Sequence, residues 1–153
     1  MPSQPTISDQ EDALLGFNFM LELEGKAAGY FSEANGIGSE HEIIEHKVVD
    51  SQGHEAVRKI PGRLKWNDIT LKRGITSAMD IWNWREDVLN GDMNTARMNV
   101  SITMLSRTYE SVAIWHLSNA WPSKLTGPVM KADSNEIGVE EVVLVHEGMY
   151  REK

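Results

Sequence analysis

Apolar side chains recur at every second residue in most patterned stretches of this chain, a period that belongs to half-buried strands rather than to helices. In Phe17–Leu23, Phe17, Phe19, Leu21 and Leu23 share one face, with Asn18, Met20 and Glu22 on the other. Val100, Ile102 and Met104 alternate with Ser101 and Thr103, and Ala113, Trp115 and Leu117 alternate with Ile114, His116 and Ser118. In Ile137–His146, Ile137, Val139, Val143 and Val145 stand opposite Glu140, Val142, Leu144 and His146. A chain patterned in this way must pair its strands and cover one face of the resulting sheet.

Turn chemistry divides the strands. Gly25 begins a turn, and Asn35-Gly36-Ile37-Gly38 predicts a bend or bulge. Glu42–Val49 reads as a strand, Asp50-Ser51-Gln52-Gly53-His54 as a polar hairpin tip, and the stretch to about Arg58 as the return. Ile60-Pro61-Gly62 predicts a break, after which Arg63–Arg73 extends again around a bulge at Asn67-Asp68 and stops at Gly74. One helix is expected, capped by Ser77 with Asp80 three residues on, and ended by Asn90-Gly91. Its stripe at helical spacing is Ala78, Ile81, Trp82, Arg85, Val88 and Leu89. Asn119-Ala120-Trp121-Pro122 predicts a bend. The expected fold is mainly β: two packed antiparallel sheets, as a sandwich or barrel, with one flanking α-helix.

A length of 153 residues fits a single domain. Residues 1–13 read as a flexible N-terminal arm and 14–153 as the β domain. The amino-terminal stretch is polar and acidic, without the features of a signal peptide, and no apolar run reaches the roughly 20 residues of a membrane helix, so no membrane anchoring is expected. With no cysteine there can be no disulfide framework, and synthesis in a reducing cytoplasm is expected. A net charge of −8 argues against ordinary nucleic-acid binding. That charge is unevenly placed. Arg58, Lys59, Arg63, Lys65, Lys72 and Arg73 fall close together, whereas Glu33, Glu40, Glu42 and Glu45 occupy a stretch without Lys or Arg. Either complementary self-association or two solvated strand faces would produce this pattern.

Apparent catalytic signals fail on context. His41-Glu42-Ile43-Ile44-Glu45-His46 places its histidines five apart in a strand, whereas a zinc protease needs them four apart on one helical face. Gly36 and Gly38 begin a dinucleotide fingerprint that His41 interrupts. No nucleophile motif is present, and no cofactor is expected. Trp66, Trp82, Trp84, Trp115 and Trp121 sit within apolar patterns and read as core or subunit-interface residues.

Several stretches, in order, resemble the tail tube protein family of contractile phage tails and phage-derived contractile injection systems. They begin at Phe17-Asn18-Phe19 and include Gly29-Tyr30-Phe31-Ser32-Glu33-Ala34-Asn35-Gly36-Ile37, Ile43-Ile44-Glu45-His46 and Arg58-Lys59-Ile60-Pro61-Gly62-Arg63-Leu64-Lys65-Trp66. Ile69-Thr70-Leu71-Lys72-Arg73-Gly74-Ile75-Thr76, Ile81-Trp82-Asn83-Trp84, Asn119-Ala120-Trp121-Pro122, Leu125-Thr126-Gly127-Pro128, Ser134-Asn135-Glu136 and His146-Glu147-Gly148 complete the series. The resemblance implies a structural protein, not an enzyme, whose hexameric rings stack into the hollow inner tube of a contractile tail. It implies self-association, a contractile sheath, baseplate and tail-terminator partners, and DNA or protein cargo in the lumen, within a phage tail or extracellular injection particle. An acidic lumen that keeps such cargo from sticking is the matching electrostatic expectation. By the same analogy the polar hairpin around Asp50–Ala56, with Asp50, Ser51, Gln52, Gly53, His54 and Glu55 at its tip, is expected to reach the neighbouring ring together with the N-terminal arm. Separately, on its charge, the basic stretch from Arg58, Lys59 and Arg63 to Arg73 is expected to meet acidic surface on the next subunit or on the sheath. A tube-initiator ring at the baseplate or a type VI secreted hexamer would share this architecture. A monomeric ligand-binding β-barrel is the reading from another class.

Overall fold

The structure, a computed structural model, describes residues 18–128 and 138–153. The arm assigned to residues 1–13, Phe17, Ile137 and the Ser134–Glu136 motif lie outside the described residues. Strands run in the order β1 (Asn18–Leu23), β2 (Lys26–Phe31), β3 (Glu33–Asn35), β4 (Ser39–Val49), β5 (Glu55–Trp66) and β6 (Ile69–Gly74). Two helices follow, α1 (Asp80–Leu89) and a single turn α2 (Met93–Ala96), then β7 (Met98–Leu105), β8 (Ser111–Thr126), β9 (Val139–Val145) and β10 (Gly148–Arg151). Neither α2 nor β10 was anticipated from the sequence; four residues are too few to establish a period.

Every described strand pairing is antiparallel. One layer runs β2-β1-β7-β8 with β10 on the far side of β8; the other runs β3-β6-β9 and meets the second half of β8. The long strand β8 therefore belongs to both layers. Its bend falls at Asn119, whose φ of 51° is left-handed, and its partner changes there from β7 to β9. The bend expected at Asn119–Pro122 is thus real, but it turns a strand from one layer into the other instead of ending it. A second tie joins the layers where the backbone N–H of Ser32, between β2 and β3, donates to the carbonyl of Lys72 at 2.9 Å.

Between the layers lie Leu21, Phe31, Ile102 and Leu117 from one side and Ile69, Leu71, Val142 and Leu144 from the other. Burying each such side chain contributes about 1.5–3 kcal/mol. In β1 the buried face is the expected one, with Leu21 sealed and Phe19 and Leu23 packed against the core. In β9 it is the face carrying Glu140, Val142 and Leu144, which takes an acid into the interior.

Two boundaries differ from expectation. β5 runs unbroken through Pro61 and Gly62, because a two-stranded ribbon leaves one edge of every strand free and a proline is tolerated there. The irregularity falls instead where His41 and Ile43 meet Leu64 and Pro61, and Asn67-Asp68 is a strand boundary, not a bulge. Helix α1 begins at Asp80 after Met79, with no side-chain cap; the hydroxyl of Thr76, not Ser77, accepts the N–H of Ala78 at 3.3 Å. Its buried residues are Ile81 and Trp84, whereas Leu89 is exposed. Trp84 is anchored by its indole N–H, which donates to the carbonyl of Ala96 at 2.7 Å. The expected stop is where the structure places it, with Asn90 and Gly91 donating to the last-turn carbonyls of Glu86 and Val88.

Candidate subunit interface

The antiparallel ribbon of β4 and β5 stands apart from both layers. Among the described residues its strands pair only with each other. Of β4 only Val48, and of β5 only Gly62 and Trp66, are even partly covered. An isolated two-stranded hairpin is marginal in water, so eleven- and twelve-residue strands with so little cover lack the support that a third strand or a packed face provides. The side chains agree. Ile43 is 65% exposed and Ile44 54%, on opposite faces of one strand, and Val49, Val57, Ile60 and Leu64 are exposed as well. Apolar residues on both faces of a ribbon are a surface suited to burial against another chain.

The tip is well ordered by its own chemistry. One carboxylate oxygen of Asp50 accepts the backbone N–H groups of Gln52 and His54 at 2.9 and 2.8 Å, and the N–H of Gly53 reaches the Asp50 carbonyl at 3.1 Å. Asp50, Ser51, Gln52, Gly53, His54 and Glu55 are all exposed, as are Arg58, Lys59 and Arg63. The structure therefore brings the nine expected contact residues together on one ribbon, six of them around its tip. What sequence reasoning did not single out as contacts is the apolar set Ile43, Ile44, Val57 and Ile60, which falls on both faces of the ribbon and stays exposed on both.

Folding also explains the uneven charge. Glu40 lies across from Lys65 and Glu45 across from Lys59 on the ribbon, and Glu33 faces Lys72 between β3 and β6. The acidic and basic stretches are thus largely partners within one chain. From Ser39 to Trp66 five acids are matched by five bases, so the overall surplus of negative charge lies outside the ribbon. His41 and His46 both sit on β4, across from Leu64 and Arg58.

One ring contact fixes the root of the ribbon. Trp66 packs against His146 with ring centroids 5.7 Å apart, and both His146 nitrogens are sealed from solvent without a hydrogen-bond partner among the described residues, so this joint is held by packing. Toward the other end of β6, that strand and β9 are locked by a buried ion pair. Arg73 Nε donates to Glu140 Oε2 at 2.7 Å, the indole N–H of Trp82 donates to the other carboxylate oxygen, and the guanidinium lies 4.9 Å from the Phe31 ring centroid. Among the described residues no helix is long and apolar enough to cross a membrane, and no cluster of three or more His, Cys, Asp or Glu side chains could hold a metal.

A two-layered antiparallel β domain with one long unsupported ribbon is the build of a structural protein with a surface suited to another chain. Residues 15–150 match the T4-like virus tail tube protein gp19 family, and the chain belongs to that family. It is similar to a chain in the structure of the anti-feeding prophage cap, the AFP tube terminating cap, with 25% identity, 88% of this chain and 87% of that one covered, and a TM-score of 0.67. A chain of the PVC sheath-tube complex of an extracellular contractile injection system, in the extended state, is similar at 23% identity over 88% and 87% of the two chains, with a TM-score of 0.67. Hcp1 from Flavobacterium johnsoniae shares the fold at 12% identity over 88% and 94%, with a TM-score of 0.56. No curated protein matches.

Proposed function

We infer that this chain is a structural subunit of the hollow tube of a contractile tail or injection system, assembling with copies of itself through the β4–β5 ribbon. The single observation that carries this reading is a long ribbon, apolar on both faces, left uncovered in a member of the tail tube family. Pairing or burying such a ribbon against a neighbour removes open strand edges that would otherwise associate without control. Closed cyclic symmetry reuses one contact around a ring, and head-to-tail stacking of rings extends it into a filament.

Asp50–Glu55, Arg58, Lys59 and Arg63 are the contacts we assign to neighbouring subunits. A sheath, a baseplate and a terminator are the further partners, in keeping with the sheath-tube complex and tube terminating cap among its structural relatives. The lumen would carry DNA or protein cargo, and no catalytic role is assigned.

The test is Ile44→Asp combined with Ile60→Asp, cross-strand neighbours on one ribbon face. The variant is expected to stay monomeric in sedimentation velocity at concentrations where the unaltered chain assembles, with an unchanged circular dichroism spectrum. Assembly equal to that of the unaltered chain would remove the ribbon from the interface.

A further inference from the structure

We propose that Tyr30 and Tyr109 are a modification site, where a one-electron oxidant joins the two rings as dityrosine within a single chain. The inference goes beyond the assembly reading and does not depend on it.

Geometry is the first argument. The ring centroids are 6.2 Å apart and the planes stand at 84°, an edge-to-face pair within the roughly 4.5–7 Å of aromatic contacts. In such a pair the rim of one ring is directed at the face of the other. The coupling positions are the two ring carbons beside each phenol oxygen. Tyr30 is 53% exposed and Tyr109 65%, so both rings have room to turn until those carbons meet, and both are open to a dissolved oxidant.

Placement is the second. Tyr30 lies on β2 across from Met20 of β1, and β1 pairs on its other side with β7. Tyr109 lies in the turn between β7 and β8. The contact therefore reaches over β1 and joins segments distant in sequence. Its turn is closed by two backbone bonds: the N–H of Tyr109 donates to the Ser106 carbonyl and the N–H of Ser106 to the Glu110 carbonyl, each at 2.9 Å. Tyr109 itself has the left-handed φ of 61°, uncommon for a non-glycine residue. The backbone thus fixes the spacing of the pair while the side chains stay free to rotate. Two groups held in this way meet at a local concentration on the order of millimolar or more, which favours coupling within a chain over coupling between dilute chains.

The third argument is what else could react. The chain has no cysteine to intercept a radical, and only three tyrosines. The third, Tyr150, is stacked on His116 with centroids 4.9 Å apart, and among the described residues it has no ring contact with another tyrosine.

The step balances without a cofactor. Each phenol gives one electron to the oxidant and its O–H proton to water. One carbon beside each oxygen then joins its counterpart, and a C–C bond forms. The hydrogens on those two carbons return through solvent to the oxygens, which restores both phenols. Two electrons pass to the oxidant and two protons to solvent. The product ties β2, the end strand of its layer, to the β7–β8 turn.

A photo-excited ruthenium complex with persulfate, a diffusible one-electron oxidant, applied to the purified chain across a dilution series tests the site. The expected product is a chain lighter by two hydrogen atoms, with dityrosine fluorescence, unchanged in size on a denaturing gel, and formed in a yield per chain that dilution does not alter. Peptide mapping is expected to join the peptide holding Tyr30 to the one holding Tyr109. Tyr30→Phe and Tyr109→Phe, which keep the ring pair but remove one phenol, are each expected to lose this product, and Tyr150→Phe to retain it. Absence of an intrachain product, dityrosine found only between chains, or a map that pairs Tyr150 overturns the proposal. An intrachain product that survives in Tyr30→Phe or Tyr109→Phe overturns it equally.

Discussion

Arg73 Nε and Glu140 Oε2 lie 2.7 Å apart, with the two side chains only 6% and 2% exposed. They join β6 to β9 side by side in register, and the same carboxylate accepts the indole N–H of Trp82 from α1. Two strands and a helix therefore converge on one buried acid.

Removing one member of this pair strands the other. Glu140→Gln is expected to cost about 3–5 kcal/mol, because the buried guanidinium loses its counter-charge. For a chain of this size the melting temperature falls by about 2–4 °C per kcal/mol. Replacing both partners, Arg73→Met with Glu140→Leu, should recover most of that loss, since neither charge is then left buried. Thermal unfolding of the monomer, run as a double-mutant cycle, checks this; additive losses would contradict it.

Two glycines make close approaches that a side chain would disturb. At Gly36, φ is +85° and an added Cβ would stand 2.1 Å from the carbonyl oxygen of Asp68, a backbone atom. At Gly29 it would stand 2.3 Å from Nη1 of Arg73, a side-chain end already held by Glu140. Both alanine variants are expected to destabilise the monomer, Gly36→Ala the more, by over about 2 kcal/mol, because backbone cannot swing aside. Urea midpoints compared at equal slope give the order.

Charge reversal on the ribbon separates folding from assembly. Lys59 lies across from Glu45, so Lys59→Glu places like charges opposite one another. The monomer is expected to lose less than about 1 kcal/mol. Assembly at low salt is expected to weaken, and added salt to restore part of it. Light scattering across a salt series reads the effect, and indifference at every salt concentration would return Arg58 and Lys59 to a solvated face.

Much of this fold was legible because the signals were local. The β1 alternation and the Asp50–His54 tip each follow from a few adjacent residues, and the run from Phe17 to Gly148 carried the family resemblance. What escaped depends on partners distant in sequence. Arg73 and Glu140 are 67 residues apart, and nothing near either one marks the other. Pro61-Gly62 reads as a break only if a strand is assumed to pair on both sides, which the ribbon does not. Trp84, outside the expected stripe, is buried and Trp82, within it, is partly exposed, because a helix stripe leaves open which edge tilts inward, and the carbonyl of Ala96 decides it. The apolar residues of the ribbon are of the types that core strands carry, and the sequence does not show whether they are covered. Only the folded chain shows that Ile43 and Ile44 stay exposed among the described residues, and so this pair was not among the expected contacts.

The central claim is self-assembly into a tube. Electron microscopy of the purified chain across a concentration series tests it most directly. The account predicts sixfold rings with a central hole, and tubes built of such rings as concentration rises. Single compact particles at every concentration would contradict it and favour a monomeric β-barrel.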